Sequence, residues 1–228
     1  MILKLYLYSY ARGRFMTLVQ DIIRFIVEGG IFMYVILAVW AFAGAVALER
    51  FKKLSFTYDV DGPSFMNELQ RYILSNDIQG AIRVCSGSTG ALPKVLKSGL
   101  KRANQSPEQV QNAIDATALE VIPKLEMRIP YLQLAANLST LFGLLGTIQG
   151  LIQSFSAVSA ADPTQKAEVL AKGIAVAMNT TALGLLAAIT IMMIHAFLAA
   201  KSEKIVNEID EFSVKLQDLL GTKKAIDE

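Results

Sequence analysis

Three stretches of this chain carry no Asp, Glu, Lys or Arg: Gly29 to Leu48, Ile129 to Ala161, and Gly173 to Ala200. Each meets or exceeds the roughly 20 apolar residues that cross a bilayer as a helix. Lipid leaves no water to satisfy a free backbone, so such segments become helices or closed barrels, and runs this long predict helices. The second and third exceed the minimum, which predicts tilt or continuation beyond the lipid. The charged fraction of the whole chain, 18%, lies below the usual quarter for soluble domains. The expected fold is an all-α integral membrane protein with three transmembrane helices. The second and third are long and extend into the cytoplasm, beside a small helical cytoplasmic region.

Inventory excludes several functions. A net charge of +2 is too small for a nucleic-acid binder. Cys85 is the only cysteine and His195 the only histidine, so an intrachain disulfide and most multi-histidine metal sites are ruled out. No HExxH, CxxC, P-loop or GxSxG motif occurs. Neither an enzyme active site, nor a metal, nor a cofactor is expected.

Residues 1–28 read as an N-terminal segment. "TLVQDIIRFIVE" (17–28) sets Leu18, Ile22, Phe25 and Ile26 at helical spacing, as in an amphipathic helix lying on the membrane surface. The preceding "MILKLYLYSYARGR" lacks a clean cleavage site for a signal peptide, and translation from Met16 is the competing start. The first span is expected over 29–49, closed by Arg50, Lys52 and Lys53. Residues 50–128 read as short helices, with caps expected at Asp77 and Ser106 and an opening near Pro63. Ser106, Pro107 and Gln109 make a capping box with proline at the first helical position.

The second span (129–157) and third (169–200) flank a short loop, 158–168, and should form an antiparallel hairpin. Residues 201–228 form a C-terminal helix and tail, with Ile205, Ile209, Phe212, Leu216 and Leu219 recurring at helical spacing. Basic residues at 50, 52, 53, 124, 128, 201 and 204 flank the spans on one side, which predicts a periplasmic N-terminus and a cytoplasmic C-terminus. Lys4, Arg12, Arg14 and Arg24 oppose this, and a Met16 start would remove three of the four.

Within the hairpin, Thr140, Gly143, Thr147, Gly150 and Ser154 form one narrow stripe. Ile174, Ala177, Thr181, Gly184 and Ala188 form a matching one. Two readings fit. Small residues let membrane helices approach closely, with hydroxyls bonded back to their own helix. Alternatively the stripes line a weakly polar pore or groove centred on Thr147 and Thr181. Gln149 and Gln153, with Gly146, point away, towards a neighbouring helix or subunit. His195 lies about 20 Å from Thr181 at the helical rise, and reads as an interfacial histidine before a relay. Proton relays normally need an intramembrane ionisable group; if this protein moves protons, the titrating carboxylate must come from another chain.

"LLGTIQGLIQSF" and "GIAVAMNTTALGLLAAI", in that order and separated by a short loop with "DP", resemble the two motifs of the TolQ/ExbB/MotA proton-channel family. Three spans resemble its ExbB/TolQ branch. The resemblance implies a homopentamer in the bacterial inner membrane, embedded in lipid. It implies an ExbD/TolR-like single-span partner whose aspartate carries the proton, and it extends to a TonB/TolA-like protein. Proton flow would be coupled to mechanical work on the envelope. It makes Thr147 and Thr181 pore-lining residues. The rest of the stripe (Thr140, Gly143, Gly150, Ser154, Ala177, Gly184, Ala188) would contact the partner helix, with Asn179, Thr180 and His195 as secondary polar groups. Two residues depart from the pattern: Val176 stands where a glutamate is usual, and Thr190 where a proline is usual. A non-conducting scaffold for partner helices, and more remotely a small-molecule transporter subunit, are the alternatives.

Overall fold

The structure, a computed structural model, describes residues 20–21, 23–27 and 29–227, with side chains to 222. The reading of Met16 as a start lies outside the described residues, as do Leu18 and Ile22. A short helical segment at 23–27 precedes a break at Gly30, whose φ of 74° is a left-handed conformation that glycine adopts without strain. Seven helices follow: α1 (Ile31–Lys52), α2 (Gly62–Leu74), α3 (Ile78–Gly87), α4 (Ala91–Leu100), α5 (Pro107–Glu126), α6 (Ile129–Ala160) and α7 (Lys166–Asp227). A π-helical turn, Lys53–Tyr58, extends α1. Three of the helices are long and apolar enough to cross a membrane.

The local stop and start signals act as expected. The Asp77 carboxylate accepts from the Gly80 amide at 2.7 Å and opens α3. The Ser106 hydroxyl accepts from the Gln109 amide at 3.4 Å, with Pro107 first in α5. Such caps satisfy amides that have no partner inside the helix. Between α6 and α7 the chain turns in a few residues, the Asp162 carbonyl accepting from the amides of Gln165 (2.9 Å) and Lys166 (3.2 Å). α7 then runs 62 residues without interruption. Thr190 lies within it, its hydroxyl sharing one hydrogen between the carbonyls of Leu186 (3.0 Å) and Ala187 (2.9 Å).

The chain divides into two compact units. The first comprises residues up to 44 together with 131–193. Its core is Met33, Ile36, Leu183 and Ala187, with Phe25, Ile26, Leu37, Trp40 and Phe142 packed against it. Phe25 and Ile26, two of the residues that the spacing places on the apolar face of the amphipathic helix, are half-buried against this core.

The second unit comprises 45–130 and 194 onward. Ile205, Ile209, Phe212 and Leu216 of α7 are all at most 4% exposed, so the apolar face of the C-terminal helix is the spine of this unit. Leu69 and Ile73 of α2, Val95 and Leu96 of α4, and Ile114 of α5 are buried with it. Full burial from water is worth about 1.5–3 kcal/mol for each such side chain, so the short helices need α7 to complete their core. Two glycines allow the contact: a Cβ at Gly62 would strike the Phe212 ring, and one at Gly99 would lie 2.9 Å from Ile114 and 3.3 Å from Leu216.

Arg50, only 1% exposed, donates to the Lys124 carbonyl at 3.2 Å. That carbonyl lies in the last turn of α5, where intrahelical donors run out. Glu49 beside it takes Lys53 at 2.7 Å and Arg128 at 2.5 Å. Arg128 sits at φ 69°, the kink between α5 and α6. Cys85 is buried, and burial pushes its thiol up to about 12, so it stays protonated and poorly nucleophilic at neutral pH.

Candidate functional site: the α6–α7 seam

In the first unit, α6 and α7 run antiparallel, and their small residues meet in register. A Cβ at Gly143 would lie 3.3 Å from the Cα atoms of both Gly184 and Thr181. One at Gly150 would lie 2.8 Å from the Ala177 Cβ, and one at Gly173 would strike Ser154. The tightest backbone approach is at Gly184, where a Cβ would lie 2.7 Å from the Ser139 carbonyl oxygen and 2.9 Å from the Gly143 Cα. In lipid, apolar surface gains little by leaving one hydrocarbon for another. Helix association there depends on such close approach and on interhelical hydrogen bonds.

The hydrogen bonds are placed where the glycines bring the backbones together. Thr147 and Thr181 hydroxyls lie 2.7 Å apart. Both also reach the Gly143 carbonyl, Thr147 at 3.1 Å and Thr181 at 2.9 Å. Each threonine has one hydrogen to donate and two lone pairs. Whichever hydroxyl donates to the other, the second donates to Gly143, and both hydrogens point into the seam. What remains on the outward side is lone pairs. With its hydrogens so placed, the half-buried pair offers lone pairs to an approaching group such as a protonated carboxyl, a water or a hydronium.

The stripe residues divide by exposure. Gly143 and Gly184, with Ala177 (1% exposed), Ala188 (4%) and Ser154 (5%), are buried. Gly150 is half-buried on Ala177. These residues are taken up by the hairpin's own packing, and Ser154 donates back to the Gly150 carbonyl at 2.6 Å. The outer rim is left to Thr147, Thr181 and the exposed Thr140, which bonds the Ala136 carbonyl at 3.3 Å. Asn179 and Val176 are half-buried. His195 belongs to the second unit. Gln149 and Gln153 are exposed.

Two residues have roles that spacing does not reveal. The spacing points Gly146, with the glutamines, towards a neighbouring helix or subunit. It is buried, its Cα turned so that a Cβ would lie 2.9 Å from the Thr180 Cβ and 3.3 Å from the Phe32 Cβ. Thr180, 1% exposed, donates to the Gly29 carbonyl at 3.2 Å. That carbonyl needs a donor because the turn at Gly30 diverts the Met33 amide to Gly30 at 3.2 Å. The link spans 151 residues of sequence, and only the doubled threonine hinted at it. Thr180→Val should lower unfolding stability by about 1 kcal/mol, the usual cost of an orphaned buried acceptor moderated by lipid. Thermal melting in detergent measures this, with Thr180→Ser retaining most of the stability. An unshifted midpoint for the valine variant would show the bond to be inert.

The profile of the MotA/TolQ/ExbB proton channel family matches residues 88–211, more than half the chain and all of the hairpin. The chain belongs to this family. A putative biopolymer transport protein, an ExbB homolog of Methanothermobacter thermautotrophicus, is 24% identical over 184 residues, covering 80% of this chain and 64% of the relative. The Tol-Pal system protein TolQ of Haemophilus influenzae is 35% identical over 128 residues, covering 52% of this chain and 56% of the relative. The chain thus spans less than two thirds of the length of these curated relatives. The solved structure of C. jejuni MotAB is similar in fold, with a TM-score of 0.62 at 15% identity, over 93% of this chain and 88% of that one. Within the family this protein is an all-α membrane protein with three spanning helices.

Proposed function

We propose that this protein is the channel-forming subunit of a proton-driven inner-membrane complex of the ExbB/TolQ kind. The observation that carries the reading is the Thr147–Thr181 pair, a hydroxyl rim whose hydrogens are bonded into the seam, on a helix, α6, that carries no acidic or basic side chain. A proton path needs a titrating group; here it is an aspartate on a separate ExbD/TolR-like single-span chain. Protonated, that carboxyl can donate into the rim. Ionised, it can bond there only if a threonine hydrogen leaves its partner in the seam. The rim therefore favours one protonation state of the partner, which is what couples proton movement to relative motion of the two chains. The protein itself is not an enzyme. It works as a homo-oligomer, with the exposed Gln149 and Gln153 amides bonded to neighbouring copies, and a TonB/TolA-like protein relays motion to the envelope. The N-terminus lies in the periplasm and the C-terminus in the cytoplasm.

The scaffold alternative draws on the glycine seam, which would gather helices without conduction. Co-reconstitution with the partner into liposomes decides between them. Proton flux under a pH gradient is expected only when both chains are present. Cellular function that persists with an uncoupler, and liposomes that stay tight, would favour the scaffold.

A further inference from the structure

The second unit carries a groove and a turn of opposite charge on opposite sides of one helix. The groove, about 440 Å³, lies between α2 and the last third of α7. Met66 and Phe212 form its buried floor, and Glu208, Glu211 and Asp218 line it. Lys215, which bonds Glu211 at 2.6 Å, and Lys204, 3.5 Å from Glu208, offset part of this charge. Asp218 has no ion pair among the described residues. The turn, residues 101–105, joins α4 to α5. Lys101 and Arg102 are exposed on it and have no ion pair among the described residues. Glu108 in the first turn of α5 is the acid nearest in sequence.

The two features are placed by α7. The turn lies beside Gln217, Leu220 and Gly221, whereas the groove uses Glu208, Glu211, Phe212 and Asp218. At 3.6 residues per turn these two sets fall on nearly opposite sides of the helix. An unpaired basic turn on one edge and an acidic groove on the other cannot meet within one chain. They can meet between copies, head to tail, and a heterologous contact of this kind builds a ring when its rotation closes.

We propose that the α4–α5 turn of one copy seats in the α2–α7 groove of the next, with Lys101 and Arg102 facing Glu208, Glu211 and Asp218. The inference rests on the homo-oligomeric reading above and adds to it a surface outside the membrane-spanning segments. Charge pairs of this kind fix register and partner choice more than they add affinity. The membrane helices would hold the copies together, and this contact would set their order.

Asn67 lines the groove and Asn104 lies on the turn; both are exposed, and replacing them leaves every charge in place. Full-length Asn67→Cys and Asn104→Cys chains carrying different tags are co-expressed and treated in membranes with a short bismaleimide. The buried Cys85 thiol stays silent. Cross-linked mixed dimers are expected severalfold above the dimers of either variant alone. Lys101→Glu in the second chain should reduce the yield severalfold, and Glu211→Lys in the first should restore it. No mixed dimer, or equal yields from the single variants, overturns the proposal. Native mass of the same sample separates the readings: an oligomer without the cross-link removes this surface only, while a monomer removes the homo-oligomeric reading as well.

Discussion

Thr181→Val is expected to reduce proton flux and energised function about tenfold or more while leaving assembly intact. The substitution keeps the shape of the side chain and removes its hydroxyl. Gly143 loses the 2.9 Å bond from Thr181, yet keeps its helix partner and can still receive Thr147. Thr147, freed of its 2.7 Å contact, turns its hydrogen to Gly143, and the outward lone pairs on the α7 side disappear. A rim that stabilised a protonated carboxyl by one hydrogen bond, worth roughly 1–1.5 kcal/mol, loses that preference, and about 1.4 kcal/mol on a barrier is tenfold in rate. Thr181→Ser restores the hydroxyl and should recover most of the flux, which a merely steric role would not predict. Thr147→Val should show a related loss, since it removes the other half of the 2.7 Å pair. The measurements are flux into liposomes containing the partner chain, and native mass to show that the complex forms. Wild-type flux from an assembled Thr181→Val complex would remove the threonine pair from the proton path.

Much of this architecture is legible in the sequence because the signals are local. The three spans follow from the absence of charge, the hairpin from a short polar break, and the starts of α3 and α5 from Asp77 and Ser106. Stripe periodicity also finds the small residues of α6 and α7. It does not say which surface they face. A run of glycine, alanine and threonine fits a pore wall and a helix seam equally well, and the structure shows only which of its members are buried and that Thr147 and Thr181 are half-buried. Gly146 and Thr180 show why. Gly146 meets Thr180 itself and Phe32 of α1, and the need for the Thr180 hydroxyl arises only because Gly30 breaks the helix and leaves the Gly29 carbonyl without an amide. The same holds for the C-terminal helix. Its apolar face is plain in the spacing of Ile205, Ile209, Phe212 and Leu216. That it buries the short helices of 62–126, with Gly62 and Gly99 admitting it, depends on contacts between distant segments.

The second large effect should come from a single methyl group at Gly184. Gly184→Ala places a Cβ 2.7 Å from the Ser139 carbonyl oxygen and 2.9 Å from the Gly143 Cα. Both obstacles are backbone, so no rotamer relieves them and the helices must part or slide. Overpacking of this kind typically costs about 1–3 kcal/mol. The functional cost should exceed the loss of stability, because the hydroxyl pair one turn away depends on the same separation. An opening of a few tenths of an ångström takes the 2.7 Å Thr147–Thr181 contact towards the limit of a hydrogen bond. Gly44→Ala is the control: it lies in α1, a Cβ there meets nothing within 4 Å, and alanine favours a helix over glycine by up to about 1 kcal/mol. Thermal melting in detergent should therefore show Gly184→Ala well below the parent and Gly44→Ala at or above it. If Gly184→Ala melts with the parent, the backbones are not in contact at this point. The threonine pair would then need another explanation for its close approach, since Gly143 and Gly184 are what bring it together.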